Sequence, residues 1–98
     1  MRIKLVRTSL AVPEQYDAFD ESGEQVGYLR LRHGRFRVDF PGIGGQTILE
    51  ARPQGDGIFD DDERDFYLQR ACDAIASKLS PEQDAETSWF IVDHEDLL

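Results

Sequence analysis

The stretch Gln25–Phe40, QVGYLRLRHGRFRVDF, constrains this chain more than any other. Apolar and charged residues alternate in register on both sides of His33-Gly34, the pattern of two antiparallel strands joined by a tight turn. With a period of two, Leu29, Leu31, Phe36, Val38 and Phe40 share one face, and Arg30, Arg32, Arg35 and Arg37 share the other. One face is a core. The other is a ribbon of guanidinium groups.

The residues before the hairpin supply two further strands. Arg2–Arg7 alternates, with Ile3 and Leu5 facing inward and Lys4 outward. Pro13 interrupts, so 8–14 reads as a loop, and Gln15–Asp20 resumes as a second strand. Glu21-Ser22-Gly23-Glu24 has turn chemistry, with a glycine able to take positive φ, so the second strand is expected to pair antiparallel with the third. After the hairpin, Pro41–Gly45 is a flexible connection and Gln46–Arg52 a fifth strand. Pro53 ends it, and 54–57 is loop by composition.

From Asp60 to Leu79 the period changes from two to three and four. Leu68, Ala71, Cys72, Ile75 and Leu79 fall on one helical stripe, with Tyr67 and Ala74 at its margin. Asp60 is placed to cap this helix, with Glu63 completing a capping box. Its acidic first turn and Lys78 in the last both suit the helix dipole. Ser80-Pro81-Glu82-Gln83 repeats a start signal and predicts one short helical turn. Thr87–Asp93 then reads as a strand with two apolar faces, which needs cover from its own sheet or from a second subunit. Residues 94–98 read as a flexible tail.

The expected architecture is a single small α+β domain over 1–98. Its antiparallel meander has about five or six strands, the 60–79 helix packs on one face, and a C-terminal strand lies at the sheet edge or against a neighbour. A chain of 98 residues, 40% hydrophobic and with ten aromatics, is enough for one core but not for two domains.

Charge narrows the function. Eleven basic residues against twenty acidic give a net charge of −9, which argues against a general nucleic-acid or anionic-membrane binder. Residues 1–55 hold eight Lys/Arg and seven Asp/Glu, whereas residues 56–98 hold three and thirteen, so the molecule is bipolar if the halves lie on different faces. A single cysteine makes no internal disulfide and suits a reducing cytoplasm. No stretch reads as a secretory h-region or a membrane span.

Among residues able to carry chemistry, Arg30, Arg32, Arg35 and Arg37 come first. Such a ribbon can grip carboxylates or phosphates bidentately, or pair across strands with Asp17, Asp39 or Glu50. The segment Asp56–Glu63 resembles the second half of an EF-hand calcium loop, with Gly57 at loop position six, Asp60 at nine and Glu63 at twelve. It departs from that family at Arg52 and Gln54, which stand where the loop's first ligands belong, so Asp56, Asp60 and Glu63 are weak metal candidates. Cys72 lies on the apolar stripe, and His33 and His94 have no evident orienting partner, so no catalytic residue is assigned. No cofactor is implied.

The favoured reading is a non-enzymatic cytoplasmic protein–protein interaction module that self-associates as a dimer. The arginine ribbon recognises an anionic partner, Asp56–Asp65 offers a face to a basic one, and Trp89, Phe90, Ile91 and Val92 form an interface strand. Two other classes stay open: a nucleic-acid-associated regulator using the same ribbon, and a small-ligand protein or enzyme with a pocket between sheet and helix near Tyr28, Tyr67 or Trp89.

Overall fold

The computed structural model describes residues 1–9, 12–80 and 87–93. The expected helical turn after Ser80, the tail 94–98 with His94, and part of the 8–14 loop lie outside them. Among the described residues the strands are β1 (Arg2–Arg7), β2 (Glu14–Phe19), β3 (Gln25–Arg32), β4 (Arg35–Phe40), β5 (Gln46–Ala51) and β6 (Ser88–Asp93), with one helix, α1 (Arg64–Leu79), between the last two. They form one six-stranded sheet in the order β5-β4-β3-β2-β1-β6. The first five strands are an antiparallel meander, and β6 adds to β1 in parallel. Because β5 and β6 are opposite edges, the chain must cross the whole sheet between them, and α1 makes that crossing.

Register decides which residues meet α1. Leu5 stands opposite Ala18, Ala18 opposite Gly27, Leu29 opposite Val38, and Leu31 opposite Phe36, so these side chains line one face. Against them α1 buries Leu68, Ala71, Cys72 and Ile75, as its period requires. Leu79, counted to the same stripe, stays 37% exposed at the last turn. Small residues set the depth of the approach: a Cβ at Gly27 would lie 2.5 Å from Ile75 Cδ1 and 3.3 Å from Ala18 Cβ.

Regular helix begins at Arg64 rather than Asp60, and the reason lies in Glu63. Its carboxylate accepts the backbone N–H groups of Gln54 and Gly55, both at 2.8 Å, and of Asp60 at 3.0 Å. The reach back to Asp60 is the expected second half of a capping box, but the same oxygens also pin the preceding loop. Residues 60–63 are therefore a turn, closed by the Arg64 N–H on the Asp60 carbonyl at 3.1 Å.

That loop is packed. Pro53, Gly55, Gly57 and Phe59 are buried in alternation. Gly34 N–H donates to the Asp56 carbonyl at 2.6 Å and Glu14 N–H to the Gly57 carbonyl at 2.7 Å, so the loop ties the hairpin tip to the start of β2. Phe59 stacks on Tyr67 at 5.7 Å and meets Phe36 edge-on at 5.0 Å. At the other end of the sheet, Trp89 Nε1 donates to Gln69 Oε1 at 2.8 Å, and Gln69 Nε2 donates to the Thr87 carbonyl at 3.0 Å. These bonds hold β6 to the helix.

Candidate functional site

With α1 on one face, the residues of opposite parity lie on the open face. Tyr28 stands opposite Asp39 and Asp17 there, Arg30 opposite Arg37, and Arg32 opposite Arg35. The hairpin that carries them turns at His33 (φ 54°) and Gly34 (φ 72°), both left-handed, the geometry of a type I′ turn. Such a turn follows the strand twist, and it fixes the two arginine pairs in direct cross-strand register.

Like charges directly opposite one another destabilise a sheet. Here two such pairs are adjacent, and compensation is partial. Arg35 is bonded to Glu50 from β5. Arg37 Nε lies 3.3 Å from Asp39 Oδ1, out of hydrogen-bonding geometry, and this buried nitrogen has no hydrogen-bond partner among the described residues. Asp39 is itself buried and accepts the Thr47 hydroxyl at 2.8 Å. Among the described residues no carboxylate lies within ion-pair distance of Arg32 or Arg52.

These groups line one open depression of about 410 Å³, formed by Arg30, Arg32, His33, Arg35, Arg37 and Arg52. The four arginines expected from the hairpin are thus brought together, and two further residues join them. Arg52 continues the alternation of Glu50 past the end of β5, a signal present in the sequence. His33 enters because the turn is part of the wall, and it accepts a bond of 3.3 Å from Arg32 Nε. The depression can hold carboxylate or phosphate oxygens between paired guanidinium forks.

The other sequence candidates lie elsewhere. Trp89, Phe90, Ile91 and Val92 complete the sheet as β6. Trp89 and Ile91 are on the helix face; Phe90 and Val92 are on the open face, where the Arg2 guanidinium lies 4.6 Å from the Phe90 ring centroid. A second depression, of about 470 Å³, involves Phe90 with Arg2, Lys4, Asp20, Glu21 and Gly23. Tyr28 lies on the face away from Tyr67 and Trp89, so these three aromatics do not line a common space between sheet and helix. The exposed acids Asp61, Asp62 and Asp65 are at the start of α1, on the helix side of the sheet, whereas Asp56 lies at the hairpin tip beside Gly34.

Of the metal candidates, Glu63 is engaged by three backbone amides and Asp60 is exposed beside it. Among the described residues no group of three or more His, Cys, Asp or Glu side chains is placed to hold a metal ion. Cys72 is buried, and burial first, then the nearby Asp73 charge, pushes its thiol up to about 12, far from a nucleophile's range.

The fold and its site define a small α+β domain with a helix on one sheet face and an arginine-lined depression on the other. Set against protein-family models, curated proteins and solved structures, the chain finds no match in any of the three.

Proposed function

We propose that this is a non-enzymatic protein-binding module, working in the cytoplasm as a homodimer, whose open sheet face recognises an acidic polypeptide. The observation that carries the reading is the double like-charge pairing of Arg30 with Arg37 and Arg32 with Arg35. A sheet selected only for stability would not set guanidinium groups opposite one another twice in succession. An anionic ligand turns that repulsion into binding energy.

Geometry and charge favour an acidic polypeptide over nucleic acid. The two arginine rows are two residues apart along the strands, about 6.7 Å, which matches alternate side chains of an extended peptide. A net charge of −9 repels a dense polyanion at long range, while a short acidic segment carries too few charges to be excluded. The single cysteine supports the cytoplasmic assignment, and the described helix is not long and apolar enough to cross a membrane.

The test is fluorescence anisotropy with a labelled peptide carrying Glu at alternate positions, beside a single-stranded oligonucleotide of equal length. Peptide binding is expected to weaken at least tenfold in the Arg30→Glu/Arg32→Glu double variant, with thermal stability unchanged or raised. Tighter binding of the oligonucleotide, with a steep loss on adding salt, would replace this reading by nucleic-acid recognition. Unchanged peptide binding would remove the arginine face from the account.

A further inference from the structure

We infer that two copies join through their β6 edges, antiparallel and centred on Phe90, so that two six-stranded sheets become one continuous sheet. The inference rests on the proposed homodimer and assigns its interface; it does not depend on what the arginine face binds.

The two edges of the sheet are unlike. Next to β5 the register shifts between Val38 and Asp39, and a bulge of this kind twists an edge away from intermolecular pairing. β6 runs beside β1 without a break from Ser88 opposite Arg2 to Asp93 opposite Arg7. It contains no proline, lysine or bulge, its one charge, Asp93, stands at its last residue, and its Ile91 and Val92 are each 40% exposed. Among the described residues no strand pairs with its outer side.

The backbone fixes which groups are offered. Ser88 N–H donates to the Met1 carbonyl at 3.0 Å, so Ser88, and with it Phe90 and Val92, points its amide and carbonyl toward β1. Trp89, Ile91 and Asp93 therefore point theirs outward. A two-fold axis normal to the sheet keeps helix-face residues opposite helix-face residues, so Trp89 can face only Trp89, Ile91 or Asp93 of the second copy.

Centring on Phe90 sets Trp89 opposite Ile91 twice, and both residues have outward backbone groups, as hydrogen-bonded antiparallel pairs need. Phe90 then meets its own equivalent in the closer, non-hydrogen-bonded position. Centring on Ile91 instead sets Trp89 against the Asp93 carboxylate, and centring on Trp89 sets Ile91 against Thr87 and Phe90 against Ser88. The Phe90 register is self-complementary, with no like charges opposed within the strand and with apolar contacts on both faces. This self-complementarity selects a second copy over an unrelated strand.

Light scattering after size exclusion, at low and high salt, comes first. A dimer at both salts is expected. A monomer at both overturns the homodimer and this interface together, whereas a dimer that dissociates with salt keeps self-association and overturns the edge pairing. Ile91→Pro removes an outward N–H and leaves the β1 ladder intact, so it is expected to halve the mass with circular dichroism unchanged; a folded dimeric variant would overturn the interface. Phe90→Cys supplies a second reading, because a non-hydrogen-bonded pair brings the two Cα atoms to within disulfide reach. Mild oxidation is expected to yield covalent dimer from Phe90→Cys and not from Val92→Cys. Equal cross-linking of both, or of Val92→Cys alone, would overturn the register.

Discussion

Glu14 holds together parts of the chain that are distant in sequence. Its side chain is fully buried and accepts from the Tyr16 hydroxyl, from Phe59 N–H at 3.0 Å, and from Arg64 Nε at 2.9 Å. Burial alone would raise its pKa. The Arg64 and Tyr16 bonds, with the Phe59 amide and the Arg64 charge, outweigh burial and hold it below the ordinary 4.5. Because folding lowers this pKa, the ionised carboxylate contributes stability that is complete above about pH 4.5 and lost as pH falls through the folded value. Unfolding free energy is therefore expected to decline in acid from about pH 4.5 downward. Glu14→Gln is expected to cost on the order of 3 kcal/mol at pH 7, because it takes from Arg64 its buried carboxylate and leaves only the exposed Asp61, and to flatten the acid decline. Urea melts of both proteins at pH 7 and pH 3.5 measure this; equal losses on acidification would contradict it. Cys72 gives a second check at this scale. Its thiol is expected to resist Ellman's reagent at pH 8 in the folded protein and to react fully in guanidinium chloride, whereas rapid reaction of the native protein would contradict its burial.

At the scale of elements, the hairpin and the approach of α1 each depend on a backbone position. His33 occupies a left-handed conformation that asparagine and glycine adopt at lower cost, so His33→Asn is expected to stabilise the fold by about 0.5 kcal/mol, read as a rise in Tm. Gly27→Ala is expected to cost about 1–2 kcal/mol, because the added methyl displaces Ile75 within a filled core. The strands and hairpin were legible because strict alternation over Leu29–Val38 admits one register, and the helix stripe from Leu68 to Ile75 because its period is unambiguous. The helix start was not. Glu63 satisfies cap geometry and loop geometry with the same oxygens, and only the loop's three-dimensional path shows that Gln54 and Gly55 also claim them. The Glu14 cluster was equally hidden, since Glu14 and Arg64 lie 50 residues apart and nothing local marks them as partners. At the site, alternation was enough to place Arg30, Arg32, Arg35 and Arg37 on one face. Recruitment of His33 and Arg52 depended on the turn forming part of the wall and on β5 lying beside β4.

On the scale of the whole molecule, one sheet separates two chemistries. α1 covers one face and carries exposed acids at its start, and the opposite face gathers five arginines into one depression. Recognition by the arginine face is put to experiment by an amide-shift titration of the folded protein with a peptide carrying Glu at alternate positions. Saturable shifts are expected, confined to residues 30–37 and Arg52, and lost in the Arg30→Glu/Arg32→Glu variant while the rest of the spectrum is preserved. Shifts centred on other surfaces, or none at low salt, would contradict it.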